Sequence, residues 1–548
     1  MTHAAQVTSA PRELDVAIVG AGFAGMYLIH TLRKRGFSVR AFEAGSDVGG
    51  TWYWNRYPGC RVDIVSMEYS YQFSEDLQQD WEWSEKYATQ PELLKYARHV
   101  ADRFDLRRDI QFHTRVQSAT YSDKSGRWSV ETDQGERISA QYFILATGIL
   151  SAPNLPPFEG LDSFEGDFYH TGKWRHAAVD FSGRRVGIIG TGSSACQAIP
   201  LIAEQAASLT VFQRTANYVI PAHNETLRPE AVAAIKRVYP EFRANNKKYP
   251  FAFSFESTGK SALEVSPAER EQAFEAAWAR GGLMFMGVFN DLLTNHEANA
   301  TAQDFFRRKL LAIVRDEATA TALMPDFALG CKRLIVGTDF YETFNRPNVR
   351  LCNVKDTPIT RITPKGLIVD GKEHELDAIV FATGFDAISG PILNIDIHGK
   401  GGVAMRDKWQ NGPSCYLGLM PAGFPNLFTI TGPGSPSVLS NVLKSIEQHV
   451  DFIADCISGA RAQGLNVIES NEDAEQAWLV HVDEIASRSV FKSCNSWYLG
   501  SNIPGKPRVF TAYIGWPQYA AELENIREDN YRGFHFGAVE RSGSVTAG

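Results

Sequence analysis

The stretch LDVAIVGAGFAGMYLIHTLRKRGFSVRAFE, residues 14–43, decides the fold. An apolar strand runs into Gly20, Gly22 and Gly25. A helix follows with Met26, Ile29 and Leu32 on one face, and a second strand ends on Glu43. Each part has a mechanical reason. Gly20 permits a tight turn, Gly22 lets the backbone approach a pyrophosphate, and Gly25 lets helix and strand pack closely. The helix N-terminus, opened by Phe23, then faces the phosphates, and Glu43 is placed to accept hydrogen bonds from a ribose. Three spaced glycines recur by chance. Strand, helix, second strand and terminal acid in order predict a dinucleotide site.

Residues 184–215, RRVGIIGTGSSACQAIPLIAEQAASLTVFQRT, repeat the plan with Gly190, Gly192 and Ala195 in the glycine places. The second strand now ends on Gln213 and Arg214 instead of an acid. A carboxylate there repels a 2′-phosphate, whereas a guanidinium can grip one with two parallel bonds. The first site therefore suits FAD or NAD and the second NADPH; the alternative for Arg214 is a solvated surface residue. Two further strands, YFILATG (142–148) and AIVFATG (378–384), share an ending and are expected to close the two nucleotide units.

With 548 residues the chain is long enough for two to four domains. Its net charge of −8 leaves no basic excess for phosphate backbones, so nucleic acid is not expected as a partner. The most apolar run, VAIVGAGFAGMYLI, is too short and glycine-rich to span a membrane. The N-terminal MTHAAQVTSAPRELD lacks a basic head and apolar core, which predicts a disordered lead and a cytoplasmic protein. The seven cysteines form no CxxC pair and no zinc spacing. Buried free thiols are expected, with a redox-active pair as the alternative, and no metal. STGKSALE is not a phosphate loop, because Ser254 stands where the first glycine belongs.

SAPNLPPFEG (151–160) reads as an interdomain linker. AVAAIKRVYPEFR, AEREQAFEAAWAR and ATAQDFFRRKLLAIVRD carry apolar residues at three- and four-residue intervals, which predicts a helical insertion over 222–330. QHVDFIADCISGARAQ is expected to be helical too.

Between the two nucleotide turns lies FEGDFYHTGKWRH (164–176), with Phe164, Gly166, His170 and Trp174 in the pattern FxGxxxHxxxW. Upstream, GGTWYWNRYPGCRVD (49–63) fits GGxWxxxxYPGxxxD. On these two motifs the chain resembles the Baeyer–Villiger monooxygenases, the class B flavoprotein oxygenases, from about residue 14 to 535, and it looks most like the phenylacetone and steroid monooxygenases. The resemblance extends through GCKRLIVGTDFYETFN (330–345), FATGFDA (381–387), GPGSPSVLSN (432–441) and SWYLGSNIPGKPR (496–508). The motif Trp is followed by Arg175, where the family has Pro or Asp.

The resemblance implies an α/β fold with two Rossmann-like domains and a helical insertion. It divides the chain into an FAD-binding domain (1–150 and 391–548), an NADPH-binding domain (151–221 and 331–390) and the insertion (222–330). It implies an enzyme that converts a ketone and O2 to an ester or lactone through a flavin peroxide anion, and that also oxidises sulfides. An N- or S-oxygenating monooxygenase or an NADPH oxidase is the alternative; a monomer or weak dimer is expected. Arg333 corresponds to the catalytic arginine, and Asp63 to the acid that orients it, unless Asp63 only caps a turn. Thr51, Trp52, Arg61, Asp63 and Tyr69 are implied on the flavin side, and Val116 by the adenine. Thr191, Ser193, Ser194 and Gln197 are implied at the NADP pyrophosphate, Arg214, Thr215 and Lys332 at the 2′-phosphate, and Trp497 at the nicotinamide. His170 and Trp174 either pin the interdomain linker or are simply a buried His beside a packed Trp.

Overall fold

The computed structural model describes residues 12–539. The N-terminal lead before Arg12 lies outside the described residues, but from Arg12 the chain is already strand rather than disordered. Among the described residues no helix is long and apolar enough to cross a membrane, and no His, Cys, Asp or Glu cluster could hold a metal ion.

Two sheets organise the molecule. The first is built from β1 (Arg12–Val19), β2 (Val39–Phe42), β3 (Ile110–Gln111), β4 (Val116–Ser122), β5 (Arg127–Thr132) and β6 (Arg137–Leu145). β3, β2, β1 and β6 lie side by side and parallel, and β5 and β4 continue the sheet antiparallel. The second holds β7 (Asp167–His170), β8 (Arg185–Ile189), β9 (Ser208–Gln213), β10 (Val349–Asn353) and β11 (Ala378–Phe381) in the order β10-β9-β8-β11-β7, all parallel. The chain then returns to the first sheet, where β12 (Asp396–His398) pairs with β4 and β13 (Leu427–Thr429) with β6. The doubly wound α/β class follows from these parallel pairings.

The sheets repeat one device. Gly20 (φ +99°) approaches so near that an added Cβ would stand 2.6 Å from the Ala146 carbonyl oxygen; Gly190 (φ +111°) would put one 2.5 Å from that of Ala382. Each glycine turn is thus pressed against the ATG that ends the neighbouring strand, which explains why the two ATG endings recur. Helix α1 (Phe23–Lys34) follows the first turn and α2 (Ser193–Gln205) the second. Met26, Leu28, Ile29 and Leu32 of α1 are fully buried, each contributing about 1.5–3 kcal/mol.

The insertion is helical, over Pro229–Arg237, Tyr239–Asn246, Pro267–Arg280, His296–Ile313 and Glu317–Ala322. The single helical pattern of residues 231–243 breaks at Val238. Pro240, at the start of the second piece, lacks the N–H that would continue the first. A three-stranded antiparallel sheet over Ile359–Thr363, Gly366–Val369 and Lys372–Glu375 was not foreseen. The expectation of buried free thiols holds for Cys60, Cys196, Cys415 and Cys456; Cys352 is free but only half-buried, and Cys331 and Cys494 instead form a disulfide.

The chain passes between the sheets twice, and the two crossings lie together. Asp386 N–H donates to the Ala152 carbonyl (2.8 Å), Ile388 N–H to that of Ile149 (2.8 Å) and Asn154 N–H to that of Gly384 (2.9 Å). His170 sits beside this junction. Its Nδ1 accepts from the Gly172 N–H at 3.0 Å, so the proton is on Nε2, which reaches the Asn154 carbonyl at 3.2 Å. Burial lowers its pKa, consistent with a neutral ring. Trp174 does not reach the junction: it stacks on Tyr169 (5.1 Å between centroids) and packs near Phe181. Arg175 lies over the Tyr169 ring at 5.0 Å and pairs with Asp167, so the residue that departs from the family pattern extends the stack.

Candidate active site

The first glycine turn, with Gly20, Gly22, Phe23 and Gly25, forms one wall of the site. The Glu43 carboxylate closes it, accepting from the Ala21 N–H (2.9 Å) and the Gly45 N–H (2.8 Å). Burial pushes the Glu43 pKa up, and these two bonds pull it back. Facing the turn is the short helix Thr51–Trp54, whose leading Gly50 would carry a Cβ only 2.9 Å from Gly22 Cα. Two bare backbones meet here, as approach to a pyrophosphate requires. Val116 is buried at the start of β4, two residues beyond Thr114, whose N–H donates to the Glu43 carbonyl. Trp52 donates from Nε1 to the Tyr69 hydroxyl at 3.3 Å, edge-on to its ring.

Between Trp52 and Tyr69 runs the segment carrying Asp63, and here the distant pieces converge. Arg333 donates to Asp63 through Nε (2.7 Å) and Nη2 (2.9 Å), and through Nη1 to the Val438 carbonyl (2.6 Å). Three of its five N–H donors are therefore fixed by two partners. Burial opposes the guanidinium charge, but Asp63 beside it more than compensates, and the Arg333 pKa is raised. Tyr498 lies on the same cavity wall as the guanidinium. Tyr498 is 1 % exposed and burial raises its pKa, so its proton stays on. Arg333 and Tyr498 line a cavity of about 10 Å³, walled by Phe251, Phe253, Leu439 and Phe491. That is room for one water, so a larger guest must displace side chains.

The second turn brings together Gly190, Thr191, Gly192, Ser193 and Ser194 at the start of α2. The Thr191 hydroxyl donates to the Thr215 carbonyl (2.8 Å), tying the turn to the end of β9. Arg214, also at this end, is exposed, and Lys332 stands near enough to feel it. Burial first, and the Arg214 charge second, bring the Lys332 pKa down to about 8. The two cations repel each other.

Two implied residues have other engagements. The Arg61 guanidinium is taken up by Glu85 (2.8 Å) and the Tyr87 carbonyl (3.1 Å). The Gln197 amide crosses to the other unit, accepting from the Tyr57 hydroxyl (2.8 Å) and donating to the Arg61 carbonyl (3.1 Å). Gly59 (φ +78°) lies between them; an added Cβ there would meet the Gln197 carbonyl oxygen at 2.3 Å. The Tyr57, Pro58, Gly59 run is thus where the flavin-side segment docks on α2. Trp497 is half-buried in the turn Trp497–Leu499, beside Tyr498. Tyr498 itself was not singled out from sequence. Its position next to Trp497 in SWYLG was the available signal.

Two glycine turns at the ends of parallel strands and an arginine-lined cavity are the parts of a flavoprotein with two dinucleotide sites, and the comparisons agree. A family model described as flavin-binding monooxygenase-like matches residues 13–250. A Baeyer–Villiger monooxygenase of Pseudooceanicola batsensis is 44 % identical over 524 residues, 95 % of this chain and 95 % of that one. A phenazine N-monooxygenase of Lysobacter antibioticus is 40 % identical over 525 residues, 95 % and 96 % of the two chains. Among solved structures, an oxidised steroid monooxygenase bound to NADP superposes with a TM-score of 0.92 at 48 % identity, covering 96 % of this chain and 99 % of that one. The chain belongs to the Baeyer–Villiger monooxygenase family of flavin-dependent enzymes.

Proposed function

We propose that the protein is an FAD- and NADPH-dependent Baeyer–Villiger monooxygenase that converts a ketone to an ester or lactone with O2. The observation that carries this reading is the guanidinium of Arg333, locked by Asp63 and Val438 at the wall of an apolar-lined cavity. When bound, FAD supplies activation of O2 and NADPH the hydride. Of the described residues, 12–150 and 391–539 hold FAD and 151–221 and 331–390 hold NADPH, and the insertion 222–330 supplies Phe251, Phe253, Leu283 and Met286 to the cavity wall. The Gly22–Gly50 contact and the Glu43 carboxylate fit the pyrophosphate and ribose of FAD; Arg214 and Lys332 fit the 2′-phosphate of NADPH.

The chain's own work is electrostatic. Negative charge grows on oxygen atoms as a ketone carbonyl is attacked, and a preoriented cation that excludes water stabilises it. Asp63 keeps Arg333 charged and aimed, and the apolar wall keeps the effective dielectric low. The phenylalanine-rich wall suits a bulky apolar or aromatic ketone. A second reading, oxygenation at nitrogen or sulfur, draws on the phenazine N-monooxygenase relative. A panel of aryl and cyclic ketones, aryl sulfides and nitrogen heteroaromatics, supplied with NADPH, separates the two. Esters or lactones from the ketones support the first reading; N- or S-oxides alone sink it.

The Lys332 pKa of about 8 gives a pH signature. Because kcat/KM reports the free enzyme, kcat/KM for NADPH should fall by about tenfold between pH 7 and 10, as Lys332 loses its charge. The same quantity for NADH should not follow this slope, and Lys332→Met should flatten it. Parallel slopes for both nucleotides would place the 2′-phosphate elsewhere.

A further inference from the structure

The disulfide between Cys331 and Cys494 joins positions 163 residues apart in sequence. Its surroundings are not those of a staple on a surface. Cys331 is fully buried and stands two residues before Arg333. Cys494 is half-buried and stands between Phe491 and Tyr498, both of which line the Arg333 cavity. The bond therefore ties together two segments that wall one cavity, Gly330 and Arg333 on one side and Phe491 and Tyr498 on the other. The loop bearing Cys494 has other moorings. Val490 N–H donates to the Leu293 carbonyl, Thr511 N–H to the Tyr498 carbonyl, and Asn502 to the Phe385 carbonyl in the second crossing between sheets. Lys506 pairs there with Asp386. The loop thus bridges the catalytic arginine and the junction about which the two units meet.

We propose that the Cys331–Cys494 disulfide is a positioning element for the Arg333 cavity, holding Tyr498 in its wall and residues 490–511 over it, and that a dithiol reductant releases both. This rests on the role given to Arg333 above. The chemistry balances. A reductant thiolate attacks Sγ of Cys494, the more accessible sulfur, and expels the Cys331 thiolate, which takes up a proton. The second thiol of the reductant then displaces Cys494, which also leaves as a thiol. Two electrons pass to the protein, and the reductant becomes a disulfide. With the loop free, Arg333 keeps Asp63 and Val438 but loses the Phe491 and Tyr498 wall, and water enters the cavity. Turnover then shifts from ester to H2O2.

The test uses the full-length FAD-loaded enzyme, air-oxidised or reduced with dithiothreitol, alongside Cys494→Ser. Alkylation and mass spectrometry should find residues 331 and 494 linked before reduction and labelled after it. Reduced enzyme and Cys494→Ser should be cleaved by trypsin after Lys492 and Arg508 about tenfold faster, as the open population rises. Their ester yield per NADPH should drop about fivefold, with H2O2 making up the difference, while anaerobic flavin bleaching by NADPH is unchanged. Dithiothreitol should add nothing to Cys494→Ser. A merely structural bond would lower Tm and leave the ester share intact; that result, equal tryptic rates, or free thiols after treatment with oxidised glutathione overturns the proposal. Absence of ester from every ketone in both redox states defeats the proposed function instead, and the tryptic rates then decide the disulfide's role alone.

Discussion

Arg333→Ala is expected to bind FAD and to be reduced by NADPH, yet to form ester about 10²–10³-fold more slowly, the cost of removing one preoriented donor to a developing oxyanion. The structure favours a large effect because no neighbour can substitute. Asp63 is acidic, Val438 offers a carbonyl, and the Tyr498 phenol is neutral. Part of any loss comes from leaving Asp63 without its partner, and that share is modest because the Asp63 side chain is 26 % exposed. Arg333→Lys separates the terms. It restores the charge but not the two-pronged grip on Asp63, so it should recover stability more than ester formation. Product analysis against NADPH consumption reads the result. Ester formation within threefold of wild type would remove Arg333 from the chemistry.

Arg214→Ala should raise KM for NADPH by about 10–100-fold and leave KM for NADH within about twofold, since a guanidinium on phosphate is a charge-assisted, two-bonded contact. Arg214 lies exposed at the end of β9, so its own surroundings cost it little. Its charge is nevertheless felt by Lys332, which places both near one point. Nearby Asp326 is engaged by Lys355 at 2.7 Å. Equal rises for the two nucleotides, measured by steady-state kinetics at saturating ketone, would mean that Arg214 shapes the turn rather than reads the phosphate.

The two nucleotide turns were legible because their spacing answers a local demand: a strand end, a bare backbone and a helix start within a dozen residues. The recurring ATG endings were legible for the same reason; that their strands pair with β1 and β8 is shown by the structure. What sequence left open depends on meetings over long separations. Nothing in the positions of Cys331 and Cys494 encodes their adjacency, so both read as free thiols. Trp174 was grouped with His170 by spacing, but only His170 reaches Asn154; the Trp joins a stack on Tyr169. Gln197 fitted the nucleotide turn by position, while its amide is spent on Tyr57 and Arg61 across the interface. The split at Pro240 was readable in principle, since Pro within an otherwise helical pattern marks a break.

The bonded pair of crossings has an architectural consequence. Residues 153–385 enter and leave through one doorway, with Ala152 and Asp386 hydrogen-bonded at the threshold. The doorway is not the whole border of that block: Gln197 to Tyr57, Arg333 to Asp63 and the Cys331–Cys494 disulfide also cross it, so a graft from a relative has to match Tyr57, Asp63 and Cys494 as well as the two crossings.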